Sequence, residues 1–196
     1  VNSGATAIAF ETVTDSEGGL PLLAPMSQVA GRLAVQAGAR FLEREFGGAG
    51  ILLCPIGEVK AGTVMVIGAG QVGTNAIAYA HGIGARIIVV DRSDDALQRV
   101  RQEFGDDVLL VNPQTGSINE YLEQADLVVG AVLVPGASAP KVLSRNDLKK
   151  IRKGRVIVDV AIDQGGCFET SRPTTHANPV FVEEDVLHYC VTNMPG

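Results

Sequence analysis

The sequence predicts a doubly wound α/β fold built on a parallel sheet, and three observations predict it. Short apolar runs rich in Val and Ile recur along the chain without apolar/polar alternation, as expected of strands covered on both faces. Stretches of helical composition separate them, the order that right-handed strand–helix–strand crossovers require. A glycine turn, Gly68-Ala69-Gly70-Gln71-Val72-Gly73, joins the first such strand to the helix after it.

Taken in order, residues 1–26 read as irregular, with turn chemistry at Glu17-Gly18-Gly19 and prolines at positions 21 and 25. Val29, Leu33, Ala37 and Phe41 then recur every fourth residue. They predict a helix over Ser27–Phe46, with Ser27 as its N-cap and Gly47-Gly48 as its stop. Such a helix would be about 30 Å long, enough to cross one domain or join two. Pro55, Gly57 and Gly62 mark a connection. Beyond it, strands are expected at Thr63–Ile67, Arg86–Val90, Val108–Val111, Leu127–Val129 and Arg155–Val160. Helices are expected at Val72–Gly82, Asp94–Phe104, Ile118–Gln124 and Arg145–Ile151. The repeating units run to about residue 170, and the C-terminal segments are expected as loops.

Composition narrows the class. The 196 residues include 46% hydrophobic and 19% charged side chains, which excludes a disordered chain. Sixteen basic against 22 acidic residues give a net charge of −6, a poor match for nucleic acid or an anionic membrane. No apolar run approaches the roughly 18 residues of a membrane span. Cys54, Cys167 and Cys190 are odd in number and widely spaced. Neither a disulfide framework nor a metal site is indicated, and a reducing, cytoplasmic setting fits. Val1 opens the chain in place of Met, and the sequence reads as a segment of a longer protein.

The glycine turn carries the first chemistry. Gly68 permits a tight turn off the strand, Gly70 lets backbone approach a pyrophosphate, and Gly73 lets the helix pack against the sheet. Free N–H groups at the helix start attract phosphate. The second strand ends in Asp91, 91 − 73 = 18 residues past the last glycine. That is near the roughly 20 expected of a carboxylate that binds the adenosine ribose. Asp91 would repel a 2′-phosphate, so NAD is favoured over NADP. The pattern defines a Rossmann dinucleotide-binding domain over residues 61–196, with residues 1–60 an interdomain segment whose long helix packs on the core.

Ligands of open α/β sheets sit beyond the carboxyl ends of the strands. After Leu127–Val129 comes the glycine-framed apolar loop Gly130–Gly136, suited to a flat ring. After Val156–Val160 comes Ala161-Ile162-Asp163-Gln164-Gly165-Gly166. A carboxylate beside that apolar run should be desolvated, its pKa raised toward proton transfer. A helix-cap or turn aspartate is the structural alternative. His176 reads as a surface loop residue, His188 as packed, and His81 as an ordinary helix residue.

The chain resembles the alanine dehydrogenase family, specifically its NAD-binding domain. The resemblance rests on Leu22–Ser27, the glycine turn, Gly130–Gly136, Val158–Cys167, Ser171–His176 and His188–Pro195. It implies reversible oxidative deamination of L-alanine to pyruvate and ammonia with NAD, by two-domain subunits assembled as homo-oligomers, usually hexamers. By matching positions, it implies cofactor contacts at Ser27, Gln71, Val72, Asp91, Val132, Leu133, Val160, Ala161, Ile162, Asp163, Thr192, Asn193 and Met194. Asp163 matches the active-site aspartate. The family's catalytic Lys and His lie in an N-terminal substrate domain that nothing here matches. Ala96 stands where many relatives carry a basic residue. Two other readings are the nucleotide-binding domain of a transhydrogenase alpha subunit and a non-catalytic NAD-binding module.

Overall fold

The computed structural model describes residues 4–6, 8–134 and 137–195. Among the described residues, seven strands form one sheet in the order β3-β2-β1-β4-β5-β7-β6. They are β1 (Thr63–Ile67), β2 (Arg86–Val90), β3 (Val108–Val111), β4 (Leu127–Gly130), β5 (Val156–Asp159), β6 (Val180–Glu183) and β7 (Val186–Tyr189). All neighbours run parallel except the β6–β7 pair. The chain builds outward from β1 to β3, returns, and starts again at β4 on the other side of β1. That reversal opens a crevice between β1 and β4 at their carboxyl ends.

The strands lack alternation because both sheet faces are covered. Val64 and Val66 enter one core with Ala76 and Ile77, while Met65 and Ile67 enter another with Leu122, Leu148 and Phe168. Helices α1 (Ala24–Phe41), α2 (Gln71–Gly82) and α3 (Asp94–Phe104) cover the first face. The one-turn helices α4 (Asn119–Leu122) and α5 (Arg145–Leu148) help cover the second.

The first helix departs from its expected limits. It begins three residues before Ser27, with Pro25 in its first turn, where proline's missing N–H removes no helical bond. The Ser27 N–H donates to Leu23 O at 3.0 Å, so Ser27 is an internal helix residue and not the cap. The helix also ends at Phe41, and a separate short 3-10 turn follows at Arg44–Phe46. Its buried residues are Ser27, Ala30, Gly31, Ala34, Val35, Gly38 and Phe41, so of the expected row Val29, Leu33, Ala37 and Phe41 only Phe41 is buried. Small residues face inward because α1 lies directly on α2. A Cβ on Gly31 would collide with Val72 O, and one on Gly38 with the Leu127 side chain.

The C-terminal stretch also differs, forming two strands where loops were expected. β7 runs between β5 and β6, and a two-residue turn at Glu184-Asp185 joins β6 to it. Both turn residues are left-handed, with φ of 50° and 61°, the geometry of a type I′ hairpin. That turn is normally announced by Asn-Gly, and here no glycine marks it.

Candidate functional site

A cavity of about 920 Å³ occupies the crevice at the strand-order reversal, within the range of roughly 300–1,000 Å³ typical of small-molecule sites. Ser27 from α1, Gly68, Gly70, Gln71 and Val72 from the glycine turn, Asp91 after β2, and Val132 and Leu133 after β4 all line it.

The three turn glycines do three different things. Gly68 has φ +101°, and a Cβ there would stand 2.6 Å from Ala131 O. Gly73 lies underneath, where a Cβ would collide with Gly68 O. Gly70 has φ −80° and open space within 4 Å of where its Cβ would be. Neither strain nor neighbouring protein therefore requires glycine at Gly70; the empty space is cavity. Gly70 caps α2, whose first-turn amides at Gln71 and Val72 have no intrahelical acceptor.

Asp91 is half-buried and fixed by backbone. Its Oδ2 accepts from Ala69 N at 2.7 Å and its Oδ1 from Ser93 N at 2.8 Å. Each oxygen keeps a further lone pair for the cavity. The Ala69 bond also ties β2's end to the glycine turn. Arg92 and Arg99 stand beside Asp91 in the lining, and Ala96 is on the same wall.

The remaining expected residues form a second group, outside the cavity lining. Val160, Ala161, Ile162 and Asp163 form a 3-10 turn after β5, and Thr192, Asn193 and Met194 follow β7. One contact unites them: Asn193 N donates to both Asp163 oxygens at 3.1 and 3.2 Å. Ala161, Ile162 and Met194 are buried. Asp163 itself is exposed, so the expected desolvation is absent from this chain. The apolar neighbours pack inward while the carboxylate points out. Pro135 and Gly136, which close the β4 loop, lie outside the described residues.

The carboxylate buried beside this turn is instead Asp159, the last residue of β5. It accepts from Ala161 N, Cys167 N, Phe168 N and Ser171 Oγ at 3.1, 2.9, 3.4 and 2.5 Å. Burial, and then the Asp159 charge, push the Cys167 thiol far upward, and burial raises Cys190 to about 12. Both thiols are thereby held protonated, and the thiol is a far weaker nucleophile than the thiolate. Lys141, after the β4 loop, also lines the cavity. Sequence reasoning missed Asp159 and Lys141. Asp159 ends β5, and Lys141 lies in the loop after β4, so position relative to the strand ends is their only signal.

His188 is fully buried on β7, as expected, and burial lowers its pKa. His81 and His176 are exposed. Among the described residues no group of His, Cys, Asp or Glu could hold a metal ion, and no helix is long and apolar enough to cross a membrane.

A parallel sheet with a glycine turn, an unobstructed helix N-terminus and a strand-end carboxylate at its reversal point defines a dinucleotide-binding class of domain. Residues 34–196 match the family described as "Alanine dehydrogenase/PNT, C-terminal domain", and the chain belongs to that family. It is 54% identical over its whole length to an alanine dehydrogenase of Halomonas elongata, covering 53% of that protein. A solved L-alanine dehydrogenase superposes with a TM-score of 0.89 at 47% identity, over 96% of this chain and 52% of that one. A transhydrogenase from Sinorhizobium meliloti superposes less closely, with a TM-score of 0.73 at 26% identity over 88% and 48%. The chain thus spans about half the length of the relatives it matches.

Proposed function

We propose that this chain is the NAD-binding half of an alanine dehydrogenase, acting in the cytoplasm within a homo-oligomer. The whole protein would interconvert L-alanine with pyruvate and ammonia. On this reading residues 61–196 are the nucleotide-binding unit, residues 1–60 connect it to a substrate domain outside this chain, and the oligomer is a hexamer.

One observation carries the cofactor assignment. The space in front of Gly70 is open although nothing in the protein's own packing needs it open. The residues present fit NAD. Amides of Gln71 and Val72 would take the pyrophosphate, as free helix-start N–H groups do. Asp91 would accept from the adenosine ribose hydroxyls, and a 2′-phosphate would meet its charge. Val132 and Leu133 would pack against the nicotinamide with Ser27 on the opposite wall. Val160 to Asp163 and Thr192 to Met194 would complete the pocket once the substrate domain closes over it. Bound NAD supplies a hydride acceptor for the substrate carbon. The chain's residues orient the ring and exclude water from it. Asp163 would face positive charge developing on the amine-bearing carbon and would hold or pass a proton at its carboxylate.

Alanine-dependent NADH formation by the full-length protein tests this reading against its rival, a transhydrogenase nucleotide domain. No NADH from alanine, with hydride passed to NADP instead, would select the rival. Asp163→Asn should cut kcat at least tenfold while leaving the NADH Kd near its original value. Turnover near wild type would remove Asp163 from the mechanism.

A further inference from the structure

Two loops meet at the edge of the cavity. One follows β4 and ends at Val142; the other follows β5 and carries Asp163. Ala139 N donates to Gln164 O at 2.9 Å, and Val142 N donates to Cys167 O at 2.7 Å. Lys141 lies between these rungs. Its ammonium donates to Gly165 O at 2.7 Å, Gly166 O at 2.8 Å and Phe168 O at 3.2 Å. Buried Asp159 collects the N–H groups of Ala161, Cys167 and Phe168 and the Ser171 hydroxyl. A cation thus holds the carbonyls of residues 165, 166 and 168, while an anion holds the amides of residues 161, 167 and 168.

The loop needs such restraint. Gly165 and Gly166 have φ of 89° and 76°, conformations that glycine leaves just as readily as it enters. Ordering them costs backbone entropy. Asp163 has one anchor of its own, the Asn193 amide. Among the described residues, Asp159 has no ion-pair partner within 4.0 Å. A buried carboxylate satisfied by dipoles alone is expensive, and the loop amides are what it holds.

We propose that Lys141 and Asp159 are positioning residues that clamp the 160–168 loop and so set the Asp163 carboxylate for the reaction. This rests on the role given to Asp163 above. It predicts that Lys141 acts through Asp163 and not through the cofactor, although its side chain lines the cavity.

The test is a double-mutant cycle in the full-length protein. Lys141→Met should lower kcat for alanine oxidation at least tenfold and shift the NADH Kd less than threefold. Lys141→Arg, which keeps the charge but not the three-carbonyl geometry, should recover part of kcat. In the Asp163→Asn background, Lys141→Met should cost less than threefold more, because residues acting as a unit are not additive. A fully additive loss, an unchanged kcat, or a loss confined to NADH affinity would each overturn the proposal. A second readout is independent of the reaction. Amide exchange at residues 165–168 should quicken at least tenfold in Lys141→Met, a change at an exposed residue, and also in Asp159→Asn if that variant folds. If the wild-type protein does not oxidise alanine, the functional reading fails while exchange still decides the clamp; unchanged exchange in Lys141→Met would sink the clamp alone.

Discussion

At the scale of single residues, Gly70 and Gly73 separate ligand constraint from packing constraint. Gly70→Ala should fold with a Tm within a few degrees of wild type and lose NADH binding, read by fluorescence titration, because the new methyl enters the cavity. Gly73→Ala should instead lower Tm sharply, since its Cβ collides with the Gly68 carbonyl; overpacking of this kind costs about 1–3 kcal/mol or more. Both glycines were legible in the sequence as a motif, but their separate jobs were not, because spacing does not say what stands in front of a Cα. Asp91→Ala should weaken NADH about tenfold to hundredfold, the worth of roughly 1.5–3 kcal/mol for hydrogen bonds to a charged group. It should also narrow the preference for NADH over NADPH. An unchanged preference in paired titrations would remove Asp91 from ribose recognition. Asp163 shows the limit of residue-level reading. Its neighbours are apolar, yet in a 3-10 turn adjacent side chains point in different directions, and its carboxylate emerges while Ile162 goes inward.

At the scale of elements, the strands β1, β2 and β3 and helix α3 fall on the residues their composition marked. Runs of β-branched residues bounded by glycine and charge leave little freedom in placing a buried strand. The hairpin β6–β7 was hidden because its turn uses Glu184-Asp185 at positive φ, a conformation that costs non-glycine residues. Replacing that pair with Asn-Gly should raise stability by about 1 kcal/mol, since both residues then suit a type I′ turn. Chemical denaturation measures it, and a lower midpoint would contradict the turn assignment. The limits of α1 were misread for a related reason. Most of its inward residues are Ala and Gly, which hydrophobic periodicity ranks below the half-exposed Val29 and Leu33.

For the whole molecule, acid should act first through β7. The His188 imidazole is buried between Thr170 Oγ1 at 2.8 Å from Nε2 and Val186 O at 2.9 Å from Nδ1. The carbonyl requires a donor, so Nδ1 carries the proton in the neutral ring. Phe181 stacks on it at 4.8 Å, and Arg172 lies over Phe181 at 4.1 Å. Burial holds the folded pKa below the ordinary 6.5. The unfolded chain therefore takes up a proton first as pH falls below about 6.5, and stability declines until the folded pKa is reached. Denaturation midpoints between pH 7.5 and 5 should fall more steeply in wild type than in His188→Asn. Equal slopes would show that His188 does not govern this window. The parallel arrangement of β1 to β5 and the crevice at the reversal of the sheet follow from the alternation of elements, and so were accessible from sequence. The Lys141–Asp159 arrangement was not, because it joins residues on two different loops through carbonyls and amides that every sequence possesses.

The contact of Gly31 with Val72 has a mechanical meaning. Helix α1 lies hard against the first turn of α2, so the peptide units that would grip the diphosphate have α1 as their backing. Gly31 is therefore a point at which the segment ahead of the glycine turn bears on the nucleotide end of the sheet.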